Sequence, residues 1–178
     1  MAAETQLQVR PVGYPGSAPK QEEDIVTEVS RIVDVSPDAV FAVLADGWLY
    51  SGWVVGSSHI RDVDTDWPAV GSRIHHSVGP WPLHVQDVTV VTAVEPGLSL
   101  SLEARAWPAG AAAVGLILTP HGKGKTRVRM TEHVVRGPGR VLPKAVQALI
   151  LKPRNTESLA RLADLATGRY TNRETAQP

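Results

Sequence analysis

The chain has 178 residues, enough for one domain that buries about two-thirds of the surface its unfolded form would expose. Its 18 basic and 18 acidic residues cancel, and neither sign gathers into a block that could follow a phosphate backbone or an anionic membrane, so no nucleic-acid partner is expected. The absence of cysteine excludes disulfides, thiolate metal sites and a cysteine nucleophile.

In chain order, residues 1–23 are rich in Pro, Gly and Gln without a sustained period, which predicts a disordered arm. They lack a basic start followed by an apolar run. No later stretch reaches the ~18 apolar residues that a membrane span needs. The expectation is a cytoplasmic protein with no integral membrane segment. Residues 25–35 are β-branched and predict the first strand. Ser36-Pro37-Asp38 then starts a helix: Ser caps it, Pro occupies the first position where its missing N–H costs nothing, and Asp favours the positive end of the helix dipole. This helix should end near Ala45, because Asp46-Gly47 breaks it. Gly56 leaves WLYSGWVVG only enough chain for a second short helix or turn.

Turn clusters then recur at Trp67-Pro68, Gly79-Pro80, Glu95-Pro96-Gly97, Trp107-Pro108 and His121-Gly122-Lys123-Gly124. They bound five or six strands, and connections this short make successive strands antiparallel neighbours. In residues 98–106, Leu98, Leu100, Leu102, Ala104 and Ala106 share one face, and Ser99, Ser101, Glu103 and Arg105 the other. Residues 126–135 repeat the alternation, except that Glu132 interrupts the apolar row of Val128, Met130 and Val134. The last segment places Ala145, Ala148, Leu149, Leu159, Leu162, Ala163 and Ala166 near one stripe at helical spacing. Pro153 predicts a kink or two abutting helices near Lys152 to Arg154, with Asn155 or Thr156 restarting the second. Residues 168–178 are expected to form a flexible tail.

Most catalytic motifs are missing. Gly124-Lys125-Thr126 resembles the end of a phosphate loop, but position 119 is Thr and a strand follows, so a hairpin turn is expected. No G-x-S-x-G elbow, H-E-x-x-H helix or G-x-G-x-x-G fingerprint occurs. No cofactor is expected. Neither is a metal, because His75 and His76 leave opposite faces of a strand. His76 shares parity with Ile74 and Val78 and should point inward, as a hydrogen-bonded interior histidine or as a base. Glu132 on an apolar face must be paired, protonated or wet. An ion pair with Arg154 or Lys152 is the ordinary solution, and a polar ligand anchor or an acid of raised pKa the alternative. Trp48 and Trp53 suit a pocket rim or the packing of loop ends, whereas Trp67, Trp81 and Trp107 suit structural roles.

The order strand, two short helices, meander and long C-terminal helix resembles the START-like SRPBCC superfamily, in particular its polyketide cyclase/dehydrase branch. The carriers are VSRIVDVSPDAVFAVLAD, Trp53 within WLYSGWVVG, the strand GSRIHHSVG and the ending RNTESLARLADLA. The resemblance covers about residues 24–166, and the ligand-binding domain is expected over residues 24–167. It implies an α+β helix-grip fold, in which a curved antiparallel sheet wraps the C-terminal helix around a cavity for an apolar or amphipathic molecule such as a lipid, polyketide or aromatic metabolite. On that fold, Trp48, Tyr50, Trp53, His76, Met130, Glu132 and Leu149 are the expected lining. A cyclase or dehydratase using Glu132 or His76 as its proton-moving group is the alternative to a binding protein, and a protein-interaction module is a third.

Overall fold

The computed structural model describes residues 27–78, 85–106 and 110–175. Strand β1 (Thr27–Val33) leads into α1 (Pro37–Leu44), then a single 3-10 turn (Gly47–Leu49) and α2 (Tyr50–Trp53). Six strands follow: β2 (Ser57–Val63), β3 (Arg73–Val78), β4 (Val85–Glu95), β5 (Ser99–Ala106), β6 (Gly110–Pro120) and β7 (Thr126–Arg136). A 3-10 turn (Pro138–Val141) then precedes α3 (Lys144–Thr175). The arm at residues 1–23, Trp81 and Trp107 lie outside the described residues.

The seven strands form one curved antiparallel sheet in the order β1-β7-β6-β5-β4-β3-β2. It is a meander from β2 to β7, with β1 added beside β7 in the register Val29 opposite Met130. This is the helix-grip arrangement: α3 lies across the sheet against β1 and β7, and α1 and α2 pack on it. Inward residues meet in one core, among them Leu100, Leu102, Leu116, Val128, Leu159 and Leu162.

Local chemistry sets the boundaries. Ser36 caps α1, its hydroxyl accepting from the Ala39 N–H at 3.4 Å, with Pro37 at the first helical position. Asp46 caps the next turn by accepting from the Trp48 N–H at 3.2 Å. Between β6 and β7, Gly122 and Gly124 both have φ of 67°, a left-handed conformation that suits glycine, so this segment is a hairpin turn and no phosphate loop.

Three expectations need correction. Of the kink or two abutting helices expected at Pro153, the second is excluded, because the helix runs unbroken through it. Pro153 is on the solvent side, where the Leu149 carbonyl deprived of its helical partner can meet water. The tail expected at residues 168–178 is helical through Thr175, because Gly168 alone does not outweigh the propagation of a long helix. Ala145 and Leu149, placed by periodicity on the buried stripe, are exposed.

Candidate functional site

A cavity of about 170 Å³ lies between the sheet and the helices. Each wall follows from an alternation. On β7 the inward parity of Val128 and Met130 carries Glu132 into the interior, where it is 2% exposed. Val114 of β6 stands directly opposite it, and Leu102 of β5 opposite Val114. His76 comes from β3, Tyr50 and Trp53 from α2, and Arg154 and Ser158 from α3. The lining also reaches the exposed residues Gly56 and Arg105, where the cavity meets the surface.

Of the seven residues expected to line the cavity, five do so: Tyr50, Trp53, His76, Met130 and Glu132. Trp48 and Leu149 do not. Trp48 is 59% exposed, since the Asp46 cap turns the 3-10 segment so that Tyr50 and Trp53 go inward in its place. Leu149 is 76% exposed on the outer side of α3. Trp67 packs at the core edge, its indole N–H donating to the Leu44 carbonyl at 3.1 Å.

One wall carries an ion pair. Nη2 of Arg154 faces both carboxylate oxygens of Glu132, and Arg154 Nε donates to Asn155 Oδ1 at 3.4 Å. The carboxylate that interrupts the apolar row of β7 is therefore neutralised from α3. Burying it without that partner would carry a large desolvation penalty.

The opposite wall holds a chain of neutral hydrogen-bonding groups. Tyr50 Oη lies 3.0 Å from Thr89 Oγ1, which lies 3.0 Å from His76 Nε2. His76 Nδ1 in turn lies 3.4 Å from Ser57 Oγ. Thr89 has a single hydroxyl proton and two acceptor lone pairs, so it donates to at most one of these neighbours. Running end to end, the chain has two polarities. In one, Tyr50 donates to Thr89, which donates to His76. In the other, His76 Nε2–H donates to Thr89, which donates to Tyr50, and the phenolic proton is left free to meet an acceptor in the cavity.

Burial keeps both ends of this chain neutral. It pushes the Tyr50 phenol up to about 12, against the opposing pull of the Thr89 hydrogen bond and the Arg154 charge. It pushes His76 below the ordinary histidine value, with the Asp87 carboxylate pulling the other way. Asp87 stands across the strand from His76. Its Oδ1 accepts from the Val88 N–H at 2.7 Å, while its buried Oδ2 has no hydrogen-bond partner.

Sequence reasoning missed Ser57, Asp87, Thr89 and Ser158. Asp87 and Thr89 share the parity of buried Val91 on β4, so alternation carried a signal for them. Ser57 and Ser158 come from register and packing. Ser158 Oγ accepts from the Val55 N–H at 3.1 Å and so ties the segment after α2 to α3. Among the described residues, no group of three or more His, Asp or Glu is placed to hold a metal ion. No helix among them is long and apolar enough to cross a membrane.

Over residues 24–167 the sequence matches the family described as polyketide cyclase / dehydrase and lipid transport. The chain belongs to this family. Solved structures agree on the fold. A protein from Nitrosomonas europaea superposes with a TM-score of 0.64 at 17% identity, covering 82% of this chain and 96% of its own. A Staphylococcus aureus protein of unknown function gives 0.65 at 8% identity, covering 82% and 94%. A protein of the dynemicin biosynthetic locus gives 0.55 at 22% identity, covering 77% of this chain and 45% of its own. A search of curated protein sequences gives no match. At these identities the superpositions speak for the fold, and the family match makes it a hydrophobic ligand-binding fold.

Proposed function

We propose that the chain binds a small apolar or amphipathic molecule in the cavity. Leu102, Val114, Met130 and Trp53 would hold its apolar body, and the Tyr50–Thr89–His76 chain a polar group at its end. The carrying observation is the cavity itself: about 170 Å³, lined mainly by apolar side chains, with Tyr50 and His76 on one side and the Glu132–Arg154 pair on the other. An apolar cavity of about 150 Å³ holds a molecule the size of benzene. A ring-sized portion therefore fits, and a longer ligand would extend past Gly56 and Arg105. Burying ~200 Å² of ligand surface contributes about 5 kcal/mol before association costs. The Glu132–Arg154 pair, already self-neutralised, serves as a polar wall.

The test is calorimetric titration with single-ring aromatics and short-chain amphiphiles, on the parent and on Ala112→Leu, which fills the cavity from β6. Binding to the parent with at least tenfold weakening in the variant supports the proposal. Equal binding, or none to the parent across both ligand classes, refutes it.

A second reading, an enzyme of the cyclase or dehydratase type, draws on His76. A neutral imidazole hydrogen-bonded to a polarisable chain is a suitable general base, and the cavity shields it from bulk water. Glu132 is less suited, being engaged by Arg154. If His76→Gln remained folded and turned over a substrate of the parent at the parent rate, this reading would fail.

A further inference from the structure

The cavity wall is not equally fixed all round. Most lining side chains stand on α2, on α3, or on β3, β5, β6 and β7, each of which is paired on both sides. Among the described residues, Val54, Val55 and Gly56 are the lining positions that belong to no helix or strand. They join α2 to the edge strand β2, and Gly56 is exposed where the cavity meets the surface. Gly56 has a φ of 98°, and a Cβ added there would meet nothing within 4 Å. A glycine in open space can change its backbone angles without disturbing a neighbour. The register of β2 shifts between Ser57 and His59, which sets Ser57 apart from the regular ladder.

The segment keeps its own shape but is lightly fastened. The Ser57 N–H donates to the Val54 carbonyl at 3.2 Å, which closes the turn on itself so that it can move as a unit. Two side-chain hydrogen bonds hold it to its surroundings: the Val55 N–H donates to Ser158 Oγ at 3.1 Å, and Ser57 Oγ lies 3.4 Å from His76 Nδ1. The net strength of such a bond is small, because water replaces the partner that is lost. Segments with few buried contacts and few bonds open while the rest of a domain stays folded.

We propose that residues 54–57 are the gate of the cavity: the turn swings outward about Gly56, releases Val55 from Ser158 and Ser57 from His76, and admits the ligand. The purpose of the gate rests on the cavity-binding reading, but its opening can be measured with no ligand present. Closure also completes the polar chain, since the Ser57 hydroxyl that returns with the turn is the partner of His76 Nδ1.

Diethyl pyrocarbonate, which acylates neutral imidazole nitrogens, reads the opening at His76, only 2% exposed when the gate is closed. Labelling of each histidine of the full chain is followed by peptide mass spectrometry. Ser158→Ala should raise the rate at His76 about fivefold, the factor that one lost hydrogen bond contributes. Gly56→Ala, which strains the closed turn at its positive φ, should raise it by about the same factor. Leu118→Ala, in the core at the end of β6 away from the cavity, should favour global unfolding about a hundredfold yet leave His76 labelling within about twofold of the parent. His75, on the other face of β3, should keep the parent rate in both gate variants. Unchanged His76 labelling in both gate variants overturns the proposal. So does a rise in Leu118→Ala that matches global unfolding, and so does a parallel rise at His75, which would mean that β2 peels away. Phenol mixed with parent and Ser158→Ala in stopped flow should associate about fivefold faster with the variant, whereas loss of a contact alone appears in dissociation. Equal association rates overturn the gate. Faster His76 labelling in a protein that binds no phenol supports the gate and counts against cavity binding.

Discussion

The two halves of α3 obey opposite rules. Beyond Ser158 the helix is an ordinary amphipath: Leu159, Leu162, Ala163 and Ala166 are buried, and the intervening Arg161 and Asp164 are exposed. Before it, Gln147, Asn155 and Ser158 go inward and Val146, Leu149 and Ile150 outward. The second half closes the core, whereas the first half brings Arg154 and Ser158 to the cavity. Helical periodicity is kept throughout, but the surroundings decide which side of the helix is dry. The comparison separates the half that closes the core from the half that borders the cavity.

The largest effect expected is on the second half. Leu162→Ala should lower stability by about 3–5 kcal/mol in chemical denaturation, because the site is fully buried and close-packed. Leu149→Ala, the matched change in the first half, should fall within about 0.5 kcal/mol of the parent. Comparable losses in both would break the comparison.

Next in size is the ion pair, which should respond asymmetrically. Arg154→Ala strands a buried carboxylate on β7 and should cost about 3 kcal/mol. Glu132→Gln leaves a guanidinium whose side chain is 35% exposed and can find water, so a cost of about 1 kcal/mol is expected. The reverse order would mean that the pair is not what holds the first half of α3 to the sheet.

The pH response should arise in the cavity. Unfolded Tyr50 ionises near 10 and the folded phenol only at about 12, so above pH 10 the unfolded chain loses its proton first. Stability should fall between pH 10 and 12 by about 2–3 kcal/mol, and Tyr50→Phe should remove that component. His76 has the opposite sense. Its folded value lies below its unfolded value near 6.5, so below that pH the unfolded chain binds the proton more readily. A smaller decline in stability on acidification below about pH 6.5, absent in His76→Gln, is expected from urea melts across pH.

Much of the fold was legible because it rests on local chemistry. Ser36-Pro37 marks a helix start wherever it falls, and residues 126–135 alternate whatever they pair with. Parity also brought His76 and Glu132 inward, and Arg154 was one of the two cations expected to meet Glu132. The polar chain was not legible as a unit. Thr89 meets His76 and Tyr50 through the β3–β4 pairing and the approach of α2, and neither is written in any one segment. Leu149 was misplaced for a related reason. Periodicity defines a stripe, but not whether the space opposite it is a hydrocarbon core or a cavity with polar walls.

The most direct measurement is native mass spectrometry of the chain isolated from its source, before and after denaturation. Cavity binding predicts an added mass of one small apolar or amphipathic molecule, lost on unfolding and absent from Ala112→Leu prepared in the same way. A bare polypeptide mass before denaturation, or an adduct equally retained by that variant, would contradict it.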